Sequence, residues 1–196
     1  MSASETQRNF LQDTWIYVSR FRLFSREDWL VYFAWVGMML GLLFGEVFFL
    51  AVGVANGVVF PAYVWNVPIG TVVFIVAIAF DTIGHRTVYK EELRKAEALV
   101  HHITIFAGVT SILVLCLAYH HPDFFRIPAF VLTGLAVFYS VVDEAMHWRR
   151  YLIQKSDRVE MWSHFFIFLG HITMSVSWCY WFALGYPGVR ETLQYF

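Results

Sequence analysis

A chain of 196 residues with 59% hydrophobic and only 15% charged residues, and a mean hydropathy of +0.57, is too apolar for an ordinary soluble domain and the opposite of a disordered one. Its 20 Phe, 10 Tyr and 8 Trp suit a lipid-facing surface with aromatic belts at the interfaces. A net charge of −1 gives no basis for a nucleic-acid partner, and the two cysteines, both inside apolar runs, give none for a disulfide framework or a thiolate zinc site.

Residues 1–28 set Phe10, Trp15, Tyr17, Phe21 and Phe24 among Arg8, Arg20, Arg22 and Arg26, which reads as an amphipathic segment on the membrane surface. No apolar stretch lies close to Met1, so a cleaved secretory signal is not expected. Residues 29–196 read as one all-α transmembrane domain of five helices. The first span, about Trp29 to Val52, carries the intramembrane acid Glu46. A loop with Pro61 leads to the second span, about Pro68 to His85, and a charged linker with Tyr89, Glu91 and Glu92 leads to the third, about Glu97 to Ala118. His120-His121-Pro122-Asp123 breaks the helix as a solvated turn. The fourth span covers about Pro128 to His147, the basic linker Arg149–Arg158 follows, and the fifth, about Trp162 to Leu184, stops at Gly185-Tyr186-Pro187-Gly188.

On this plan 12 of the 14 basic residues fall on one side of the membrane, and only Arg126 and Arg190 on the other. The positive-inside rule then places the N-terminus and both linkers in the cytoplasm and the C-terminus outside, in a plasma or inner membrane.

The linkers join helices that carry chemistry. Asp81/His85, Glu97/His101, Asp143/His147 and Glu160/His164 are carboxylate/histidine pairs at i,i+4, one face and one turn apart on a helix. Asp81/His85 and Glu97/His101 share one sequence midpoint, and so do Asp143/His147 and Glu160/His164. Two helical hairpins folded about those midpoints bring each acid level with the histidine of the other helix.

The hairpins look like an internal repeat. At an offset of 62, Asp81, His85, Tyr89, His102 and Gly108 fall on Asp143, His147, Tyr151, His164 and Gly170; a one-residue gap pairs His101 with His164 instead. Helices 2–5 are then expected to form a bundle with a carboxylate-rich histidine cluster at its cytoplasmic end.

Acids and imidazoles buried together are costly unless paired or bound to metal. The expected ligands are Asp81, His85, Glu97, His101, Asp143, His147, Glu160 and His164, with His102 and Glu144 in reserve. They are too many for one tetrahedral zinc and suited to two divalent ions, iron first, with zinc, manganese and copper accepting similar donors. Glu144-x-x-His147 matches the Glu-x-x-His element of carboxylate-bridged bundles, whereas the first hairpin has Thr82 at the equivalent place. One metal per hairpin is the alternative arrangement.

The function expected is a membrane-embedded di-metal oxidoreductase acting on an apolar substrate from the bilayer and served by an electron-donor protein. Glu144 and His171, the latter seven residues beyond His164 on the same face, are the candidates for proton transfer. The alternatives are a metal-dependent membrane hydrolase and a b-type haem or metal-binding subunit of a larger complex, the small Gly84, Gly108 and Gly170 leaving room for haem.

Overall fold

The computed structural model describes residues 9–88, 95–154 and 157–196, except the side chains of residues 95–98 and of Gln154. Tyr89, Glu91 and Glu92 lie outside the described residues, as does the side chain of Glu97. The described chain is helical throughout, without a strand. Its elements are α1 (Phe10–Ser19), α2 (Arg26–Ala55), α3 (Asn66–Thr87), α4 (Lys95–Ala118), α5 (Pro122–Gln154), α6 (Arg158–Ala183) and a short α7 (Val189–Thr192), with three 3-10 turns between or after them. Five helical stretches are long and apolar enough to cross a bilayer: Arg26–Ala55, Ala62–Thr87, Leu99–Ala118, Pro122–Ile153 and Arg158–Ala183.

Local chemistry explains most boundaries. Asn9 with Gln12, and Ser25 with Asp28, form reciprocal capping boxes that start α1 and α2, and Asp157 caps α6 through the Val159 amide. Two expected boundaries move. The fourth span begins at Pro122, not Pro128, because a proline in the first turn of a helix gives up an amide that has no intrahelical partner anyway. The basic linker after His147 is largely helix among the described residues: α5 runs to Gln154 and α6 starts at Arg158.

The principal packing partners are α3 with α6 and α4 with α5, followed by α5 with α6 and α2 with α3. Helices α3 and α4, expected to form a side-by-side hairpin, do not pack closely among the described residues. The reason lies at Gly70 and Gly170. A Cβ on Gly70 would stand 2.5 Å from the Met174 amide nitrogen, and one on Gly170 would stand 2.5 Å from that of Phe74. Only glycines let the two backbones approach so closely. This antiparallel register, Gly70 against Met174 and Phe74 against Gly170, carries on to set Asp81 level with Ser163, beside His164.

The main apolar core fills the end of the bundle away from the basic linkers, around Leu50, Phe60, Val67, Leu115, Met174, Trp178 and Phe182. The basic end has a small core of Tyr17, Ile83 and Val159. There the N-terminal segment is strapped to the bundle: Arg158 Nε donates to Asp13 Oδ2 of α1 at 3.0 Å, Arg20 in the turn after α1 pairs with Asp157 at 3.2 Å, and Arg86 Nε on α3 donates to Asp28 Oδ1 at the start of α2 at 2.6 Å. Tyr17 is wholly buried, so residues 10–19 pack on protein along one side as well as presenting Leu11 and Trp15 outward.

Candidate metal centre

The i,i+4 pairs survive as local geometry: His85 Nε2 is 3.5 Å from Asp81 Oδ2, and His147 Nε2 is 3.7 Å from Asp143 Oδ1. The closest contacts, however, cross between helices. His164 Nε2 on α6 reaches Asp81 Oδ1 on α3 at 2.9 Å, and His101 Nδ1 on α4 reaches Asp143 Oδ2 on α5 at 3.3 Å. They join the same helix pairs that pack most closely.

Three groups of donor atoms each gather within 4.8 Å: Asp81, His85 and His164; His147, Glu160 and His164; and His101, Asp143 and His147. His164 belongs to the first two groups and His147 to the last two, so the three form one continuous cluster across α3, α4, α5 and α6. The imidazoles lie together accordingly: His147 and His164 stack with ring centroids 3.4 Å apart, His85 and His101 stack at 5.1 Å, and His85 meets His164 edge-on at 5.9 Å. Asp81, His147, Glu160 and His164 are each no more than 5% exposed.

Hydrogen bonds join only part of the cluster: His101 Nδ1 lies 3.3 Å from Asp143 Oδ2, and Asp81 Oδ1 and His164 Nε2 stand 2.9 Å apart as an ion pair, while Asp143 Oδ1 is buried without a hydrogen bond of its own. Buried polar atoms in proteins are nearly always satisfied. Atoms that crowd together without bonding to one another have the disposition of ligands arranged about a shared third point.

One participant escaped the sequence reading. Arg150, assigned there to the basic linker, is on α5 and turns into the cluster, where it pairs with Glu160 and lies 3.0 Å from His147 Nδ1. The available signal was its spacing, three residues after His147 and therefore on the same helical face. A guanidinium beside Glu160 offsets that acid, whereas Asp81 and Asp143 have imidazoles as their nearest partners.

The other candidates fall around this cluster. His101, not His102, contacts Asp143; His102 is on the exposed side of α4, with its ring centroid 6.5 Å from that of His101. Glu144 is 9% exposed, outside the three donor groups, with Oε1 lacking a hydrogen-bond partner. It forms part of the wall of an open groove of about 510 Å³ lined mainly by apolar residues, Val141, Trp148, Leu152 and Phe168 among them, with Arg149 as a second charged member. His171 sits a layer deeper, its Nδ1 2.8 Å from Ser140 Oγ and its Nε2 facing Gly108, where a Cβ would stand 3.3 Å away. His120 and His121 are exposed at the α4–α5 turn, far along the helices from the cluster.

Comparison with family profiles, with characterised proteins and with solved structures finds no match. The reading of the site therefore rests on its own chemistry.

Proposed function

We propose that the cluster holds two divalent metal ions, iron before zinc, manganese or copper, and that the protein is a membrane-embedded oxidoreductase acting on a lipid-soluble substrate. The observation that carries this reading is the single cluster of nitrogen and oxygen donors in which His147 and His164 each belong to two donor groups. A donor set of imidazole and carboxylate without thiolate suits iron, manganese and zinc, and shared donors suit a pair of ions better than one. Bound iron would supply redox chemistry; the chain's own residues would position the substrate and move protons.

Asp81, His85, His101, Asp143, His147 and His164 are the ligands proposed, with Glu160 joining them when Arg150 turns away. Under the internal repeat, Asp81–His164 and Asp143–His101 are equivalent contacts, which favours His101 over His102 as the counterpart of His164. It also supports one shared centre built from both hairpins. The groove beside Glu144 supports access for an apolar substrate from the bilayer, with Glu144 at the junction as proton acceptor. His171, held by Ser140, is the proton relay on the inner side. A haem between these histidines is disfavoured because rings stacked at 3.4 and 5.1 Å leave no space for a macrocycle.

The test is elemental analysis of the detergent-purified protein, with about two divalent ions expected per chain. Weak near-ultraviolet bands would support bridged iron. A colourless, zinc-loaded protein would turn the reading to hydrolysis by a metal-activated water, and a metal-free protein that gains no ions on reconstitution would end it.

The orientation proposed has the cluster at the cytoplasmic boundary, following the partition of basic residues. Single cysteines at Lys90 and Lys155 should label from the cytoplasm and one at Asp123 from outside. Labelling of Asp123 from the same side as Lys155 would refute this orientation.

A further inference from the structure

A half-buried acid lies away from the cluster. Glu46 on α2 meets α3 at Thr71, whose Oγ1 donates to Glu46 Oε1 at 3.1 Å. Thr71 is ten residues before Asp81 on α3, which at the rise of a helix is about 15 Å along the bundle from the cluster. Here the helices form a partly open cavity of about 390 Å³. Its walls include Phe49, Tyr119, Trp178, Trp181 and Tyr186, with Glu46 among them. The volume is in the range of small-molecule sites.

The polar atoms of the cavity are distributed unevenly. Tyr186 Oη donates to the Leu115 carbonyl at 2.6 Å and Trp181 Nε1 to that of Pro187 at 3.0 Å, so both rings present only their apolar bodies. Glu46 Oε2 is buried without a hydrogen-bond partner. No Lys, Arg or His is among the described residues that line the cavity. A neutral carboxyl is both donor and acceptor. The entrance is on α2, where Gly41 and Gly45 line the cavity and a Cβ on either would have no atom within 4 Å.

We propose that this cavity binds a membrane-soluble quinone or its quinol, the ring lying among the tryptophan and tyrosine rings and one ring oxygen paired with Glu46. Three features select that class. The ligand must reach the cavity through lipid, its flat face must suit an aromatic wall, and a polar group on it must fit a carboxyl that can give or take a hydrogen bond. A quinone carbonyl accepts from the carboxyl, and a quinol hydroxyl donates to it. A charged amine would instead require an ionised acid. The site is separate from the metal cluster and does not depend on it.

Trp178 and Trp181 provide the readout. Titration of the detergent-purified protein with decylbenzoquinone should quench tryptophan fluorescence saturably, and decylbenzene, of the same shape without ring oxygens, should bind about tenfold more weakly. Glu46→Leu should erase that preference, whereas Glu46→Gln, whose amide also gives and takes a hydrogen bond, should keep most of it. Removing metal by chelation should leave quinone binding unchanged. Absence of saturable quenching, equal affinity for the two probes, or undiminished preference in Glu46→Leu would overturn the proposal. Loss of quinone binding with the metal would move the ligand to the cluster and overturn it equally.

Discussion

The two ends of the bundle bury acids by opposite means. At the basic end Asp81, Asp143 and Glu160 crowd together with His85, His101, His147 and His164, and Arg150 turns its guanidinium in beside Glu160. At the far end one acid, Glu46, sits among aromatic rings with a threonine hydroxyl for company. A solitary acid in apolar surroundings is stabilised by keeping its proton. Several acids within reach of one another and of imidazoles have too many donors and acceptors aimed inward for protons alone to satisfy them. Density, rather than burial, is the ground for proposing cations at the basic end.

The sharpest way to break this contrast is to remove the two shared imidazoles. His147→Ala/His164→Ala should abolish metal content, measured by mass spectrometry, while His120→Ala/His121→Ala should leave it at the wild-type level. Full occupancy in the first double variant would reduce the basic end to an ordinary polar network.

Next in size is the crossing that brings α3 to α6. Gly170→Val places side-chain carbon against the Phe74 backbone, where neither side can give way. It should cost about 1–3 kcal/mol or more by overpacking, read as a lowered midpoint of thermal unfolding in detergent. Metal content should fall with it, since Asp81 and His164 lose their register. Gly134→Ala, on a helix surface where a Cβ meets nothing, is the control and should be near neutral.

Arg150→Ala separates the two explanations of charge balance. Without metal it leaves Glu160 buried and uncompensated, at a cost of about 3–5 kcal/mol. With metal bound, that cost should shrink, because the ions take over the role of the guanidinium. Equal destabilisation of the metal-free and metal-loaded proteins would argue that Glu160 never serves as a ligand.

The smallest effect belongs to the far end. Glu46→Gln should leave metal content unchanged and shift stability by no more than about 1 kcal/mol, since an amide of the same shape keeps the Thr71 contact. A large loss of metal in that variant would show the two ends to be coupled, and the contrast between them would fail.

Much of this was legible in the chain. Runs of apolar residues of bilayer length define five helices whatever their neighbours, because backbone groups in lipid must be satisfied within the segment. The i,i+4 spacing of Asp81/His85 and Asp143/His147 places each pair on one face by helix geometry alone. Boundaries followed less closely: Pro122 looked like a breaker and is instead the first residue of α5, a distinction set by position in the helix rather than by residue type.

Only the tertiary structure decided which helices are partners. Midpoints in the sequence suggested that α3 would lie along α4, but close approach of backbones at Gly70 and Gly170 pairs α3 with α6. That pairing brings Asp81 to His164, and the packing of α4 on α5 brings His101, rather than the adjacent His102, to Asp143. The inward turn of Arg150 and the aromatic cavity around Glu46 are likewise products of packing between segments distant in the chain. Periodicity fixes the face a residue occupies, because that depends on neighbours within a turn. What the face meets depends on where two helices can come closest, and that is settled by shape complementarity across the whole bundle.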